Sequence, residues 1–87
     1  MSPEQFLQQL ADEGFGQVAT VERAAGELAE HAHPFAAKAL ILAGEIALEV
    51  AGRVTLYQVG QIFHLPADTL HRESYEPVGV RYLVGRK

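Results

Sequence analysis

The chain has 87 residues, no cysteine and a net charge of -4, which describes one domain near the small end of what folds unaided and excludes disulfides and thiolate metal sites. A hydrophobic fraction of 48% is enough for a core, while the only basic cluster, the terminal "GRK", is too small to make nucleic acid an expected partner. The absence of cysteine suits a reducing compartment, "MSPEQFLQQLADEG" lacks the regions of a signal peptide, and no apolar run reaches membrane-spanning length, so the expectation is a soluble cytoplasmic protein without a membrane partner.

The first dozen residues read as a short helix. Ser2 is placed as N-cap, Pro3 as the first helical residue and Gln5 to complete a capping box. Phe6, Leu7 and Leu10 form an apolar stripe and Gly14 stops the helix. A helix this short cannot stand alone, so the stripe must cover something.

From Gln17 onward the signals are those of strands. Val18 and Val21 suggest one, and Leu28 to His33 another. "KALILA" is almost continuously apolar and predicts a strand covered on both faces. Gly44, Gly52 and Gly60 fall eight residues apart, and "EIALEVA" and "RVTLYQV" between them alternate with the strand period. "QIFHLP", "TLHRESY" and "VGVRYLV" follow. Short strands punctuated by turn glycines predict an all-β sandwich or small barrel: residues 1–14 as a helix packed on it, residues 15–87 as the barrel.

Two of the four histidines stand in "HAH". On a strand, His31 and His33 would project from one face side by side, as metal ligands must. In a loop beside Pro34 they would be ordinary exposed residues. The other two are His64 and His71, and Glu45, Glu49, Glu73 and Glu76 read as solvated charges. No Ser-His-Asp arrangement or phosphate-cradling glycine loop is present.

"HAHPFAAKALILAG" and "GQIFHLPADTLH" together resemble the two motifs of the cupin family. The first runs His-x-His, three residues, Glu, six residues, Gly; the second runs Gly, five residues, Pro-x-Gly, two residues, His. The resemblance extends over residues 26–85, with a short inter-motif segment like that of small single-domain bacterial cupins. It implies a double-stranded β-helix, or jelly-roll, barrel. It further implies that His31, His33 and His71 meet inside the barrel as ligands of a divalent transition metal. Imidazoles suit Zn, Fe, Ni or Cu better than Mg or Ca.

Two positions depart from the family pattern. The metal-binding Glu position falls on Ala37, which cannot ligate; Lys38 beside it faces the other way unless a bulge intervenes. Asp68 stands where the family has glycine, a mild change because Asp tolerates left-handed turns. Phe35, Ala37, Ile41, Tyr57, Phe63 and His64 are the candidates for pocket walls, with core packing as the alternative for the apolar ones and a fourth-ligand role as an alternative for His64. The resulting expectation is a metal-binding cupin holding a small-molecule ligand. The alternatives are an oxygen-dependent enzyme, by analogy with three-histidine thiol dioxygenases, and a metal-free sensor or binding module. A homodimer is expected from the small core and open strand edges, through the strand of Leu40 and Leu42 or that of Tyr82 and Val84.

Overall fold

The computed structural model describes residues 1–87. Helix α1 spans Pro3–Asp12 and begins with the expected capping box. The Ser2 hydroxyl accepts from the Gln5 amide at 3.2 Å, and the Gln5 side chain accepts from the Ser2 amide at 2.8 Å. Phe6 and Leu10, one turn apart, are fully buried, whereas Leu7 is 40% exposed. Its position, one residue beyond Phe6, rotates it off the i, i+4 line.

Seven strands follow: β1 (Gln17–Arg23), β2 (Glu27–His31), β3 (Ala37–Val50), β4 (Arg53–Gln58), β5 (Ile62–Leu65), β6 (His71–Ser74) and β7 (Val80–Arg86). Every pairing is antiparallel. β3 belongs to both halves of the barrel. Up to Gly44 it pairs with β5 and β7, and from Glu45 it pairs with β4 and β6. β1 extends the first half from β7, and β2 extends the second from β6. The result is the curled, all-β barrel of the sequence reading, with one short N-terminal helix.

"KALILA" and "EIALEVA" are therefore a single bent strand rather than two strands joined by a turn. Gly44 is the bend: its φ is +71°, and a Cβ there would collide with the carbonyl of Gly79. Glycine meets both demands because it has no side chain. At Gly52 and Gly60 the chain does turn, as the spacing predicted.

Alternation along the first half of β3 sends Ala37, Ala39 and Ile41 inward, where they join Ile46, Leu48 and Phe63 in the barrel core. Leu40 points outward and is buried with Phe6, Leu10, Phe15 and Leu83 beneath α1. Gly85 allows this contact, since a Cβ there would lie 2.9 Å from both Leu10 methyls. Burial of a side chain such as Phe6 or Leu10 is worth roughly 1.5–3 kcal/mol. Leu40, beneath α1, and Val84, in the barrel core, are 1% and 3% exposed. Lys38, also outward, binds Glu13 at the end of α1 with Nζ 2.8 Å from Oε1, which removes it from the inner site and needs no bulge at that position. No helix is long and apolar enough to cross a membrane.

Candidate metal centre

His31 closes strand β2 and His71 opens β6, and the two are direct cross-strand partners. Opposed residues on antiparallel strands share a face, and their rings lie 4.3 Å apart, centroid to centroid. His33 is just beyond the end of β2, not within the strand as expected. The loop instead places it, because its carbonyl accepts from the Asp68 amide at 2.7 Å. Asp68 takes the left-handed conformation, φ +62°, so it performs the turn that the family pattern gives to glycine. The His33 ring lies 4.8 Å from that of His31 and 5.5 Å from that of His71.

A fourth group joins them. Glu73, two residues after His71, shares its face of β6, and donor atoms of His31, His33, His71 and Glu73 all lie within 4.8 Å of one another. The Glu73 side chain is only 10% exposed, so it is not the solvated charge that the sequence suggested. The sequence carries its signal as His-x-Glu at the strand period, whereas the family pattern directs attention to position 37.

Hydrogen bonds fix which atoms face the centre. His31 Nδ1 lies 2.7 Å from the Ala29 carbonyl and His71 Nδ1 lies 2.9 Å from the Thr69 carbonyl. A carbonyl only accepts, so each Nδ1 carries the proton and, in the neutral ring, each Nε2 presents a lone pair. Those two Nε2 atoms lie 3.1 and 3.0 Å from the same Glu73 oxygen, Oε2. The His31 Nε2 is buried and has no hydrogen-bond partner despite that short approach. The other carboxylate oxygen, Oε1, accepts from the Tyr75 hydroxyl at 2.7 Å. His71 Nε2 is within hydrogen-bond reach of Glu73 Oε2, and the set as a whole is compatible with a cation between the groups. A proton on one imidazole would satisfy one pair, whereas a metal ion satisfies the whole set.

The surroundings favour the neutral imidazole at His33, whose pKa is pushed down by burial and by His31 and His71 beside it. The Tyr75 hydroxyl is held protonated, its pKa raised by burial and by its bond to Glu73, so it remains a donor. Tyr82 is likewise shifted up, by burial first and by Glu73 second.

A cavity of about 50 Å³ adjoins the cluster, lined by His33, His71, Glu73, Ala37, Tyr82 and Arg86 among others. Of the candidate walls, Phe35 and Phe63 also line it. Ile41 does not: it is 1% exposed in the packed core. Tyr57 packs on Phe63 at 5.7 Å and borders a separate groove between β3, β4 and β5. His64 pairs with Lys38 in register, which puts its side chain on the outer face, edge-on to Phe15 at 6.1 Å. It is therefore no ligand. The largest concavity, about 470 Å³, is bordered by Leu28, Glu49, Val54 and Arg72, but no comparable set of donor atoms converges there.

No protein-family profile and no curated protein matches the chain. Solved structures do. An ethanolamine utilization protein Q from Salmonella typhimurium is 14% identical with a TM-score of 0.72, over 79% of this chain and 55% of that one. A cupin-2 domain protein from Shewanella frigidimarina is 15% identical with a TM-score of 0.70, over 82% and 70%. An RmlC-like cupin from the same organism is 19% identical with a TM-score of 0.64, over 80% and 66%. The chain spans about half the length of the Salmonella protein it matches. The chain shares the curled β-barrel fold of these cupin structures.

Proposed function

We propose that this domain binds one divalent transition metal through His31, His33, His71 and Glu73 and holds a small molecule in the adjoining cavity. The observation that carries this reading is the convergence of the His31 Nε2, His71 Nε2 and Glu73 Oε2 atoms, with both Nδ1 protons committed to backbone carbonyls. Three imidazoles and a carboxylate suit Zn, Fe, Ni or Cu, and the oxygen count is too low for Ca or Mg. Glu73 also supplies the negative charge that position 37 lacks.

The test is metal analysis of protein made without a histidine tag, followed by titration of the metal-depleted form with Zn and Co. Near-stoichiometric binding is expected. His31→Ala, His71→Ala and Glu73→Gln should each weaken it by about 100-fold or more, since each removes a ligand nitrogen or the site's only negative charge where even an outer partner is worth 10–100-fold. Full metal retention by a variant lacking all three histidines would overturn the reading, as would a wild-type protein that takes up no metal.

A further inference from the structure

The space beside the cluster has a charged wall that the metal reading leaves unused. Arg86 is the cross-strand partner of Ala37, so the two project from the same face of the barrel. The pairing is firmly held, because Ala36 and Lys87, the next residues along, exchange backbone hydrogen bonds of 2.8 and 3.0 Å. The Arg86 guanidinium lies 5.0 Å from the centre of the Phe35 ring, and that ring stacks on His33 at 4.9 Å. Arg86 forms no ion pair with any carboxylate of the chain. It thus lines a cavity beside the proposed metal ligands with its charge unanswered.

The methyl group of Ala37 keeps that space open. A longer side chain at position 37 would fill it and, if acidic, would meet Arg86. The volume, about 50 Å³, holds only a few water-sized groups. Charge sets the sign of what fits. A divalent ion with Glu73 leaves one positive charge, and Arg86 adds a second.

We infer that the cavity is a site for a small monoanion, a one- or two-carbon carboxylate in chemical class, held between the metal and the Arg86 guanidinium above Ala37. A planar carboxylate matches the fork of a guanidinium, and its other oxygen is left for the metal. This inference rests on the metal reading.

The experiment uses the Co(II)-loaded full chain, with azide as the probe and visible absorption as the readout. Wild type should show a saturable spectral change that formate and acetate reverse. Arg86→Gln should retain its Co(II) content and lose azide affinity by about 10-fold or more, as a charge-assisted contact is removed. Arg86→Lys, which keeps the charge and loses the fork, should fall between the two. Ala37→Glu should hold Co(II) and no longer respond to azide, because its own carboxylate occupies the space; this variant tests the site even if Arg86→Gln folds poorly. Equal azide affinity in wild type and Arg86→Gln, or an unchanged azide response in Ala37→Glu, would overturn the anion site while leaving the metal reading intact. A wild-type protein that takes up no Co(II) would overturn both.

Discussion

At the scale of single residues, Tyr75 and Glu73 form a unit. Tyr75 is 4% exposed, and its hydroxyl anchors Oε1 at 2.7 Å, leaving Oε2 turned to the histidines. Tyr75→Phe removes the anchor and almost nothing else. Metal affinity should fall by about 10–100-fold, the usual effect of losing an outer partner of a ligand, with an unchanged circular dichroism spectrum; titration of both proteins at one pH checks it. Ala37 offers the complementary experiment. Its side chain faces the cavity, so Ala37→Glu on a Glu73→Gln background returns a carboxylate from the opposite strand. Part of the lost affinity should return, by calorimetry, whereas Lys38→Glu on the same background should restore none, since position 38 faces α1.

These residues also show what a sequence conceals. His31, His33 and His71 were legible because motif spacing survives in one dimension. The inward turn of Ala37 and the outward turn of Lys38 followed from strand alternation alone. Glu73 was missed for a physical reason: whether a carboxylate is solvated or aimed inward depends on which face of its strand the barrel covers, and for β6 that is set by pairing with the distant strands β2 and β3. His64 was ambiguous on the same ground, and the Lys38–His64 register resolved it.

At the scale of elements, α1 is the cover for the outer face of β3. The two-sided apolar run "KALILA" required such a cover, and the helical stripe required a floor; sequence showed both needs without showing that each met the other. Lys38 and Glu13 close the seam. The Glu13 pKa is held below its usual 4.5, first by the hydrogen bond from Lys38. A carboxyl with a lowered folded-state pKa contributes stability above its unfolded pKa and loses it as the pH falls through the folded value. Lys38→Met should therefore be less stable than wild type at pH 7, and the two midpoints in urea should converge as the pH drops below about 4.5. The pair is partly exposed, so the difference will be small and will shrink further in high salt.

At the scale of the molecule, the bend in β3 is what makes two half-sheets into one barrel. The glycine rhythm announced turns, and Gly52 and Gly60 are turns; Gly44 obeys the same spacing yet only redirects a strand, a distinction that depends on the Gly79 carbonyl arriving from a distant part of the chain. Gly44→Ala combines a left-handed backbone with that collision. It should cost about 2 kcal/mol or more in equilibrium unfolding, and near-complete tolerance would show that the bend can be redistributed along the strand.

Strand β2 ends the second half of the barrel, and β6 alone pairs with it. Four of its five residues are exposed, and their backbone bonds are those of a border that opens first. His31 hangs from this border and His33 lies just past its end, while His71 and Glu73 sit on the neighbouring strand. An ion shared among them would act as a clasp, tying this edge strand to the sheet at one point. Amide hydrogen exchange should register this directly: on adding Zn, protection should rise most for residues 27–33 and little for β3, which four strands already hold. Occupancy of the centre would then be written in the dynamics of an edge, and the metal-free domain would differ from the loaded one less in shape than in how often that edge lets go.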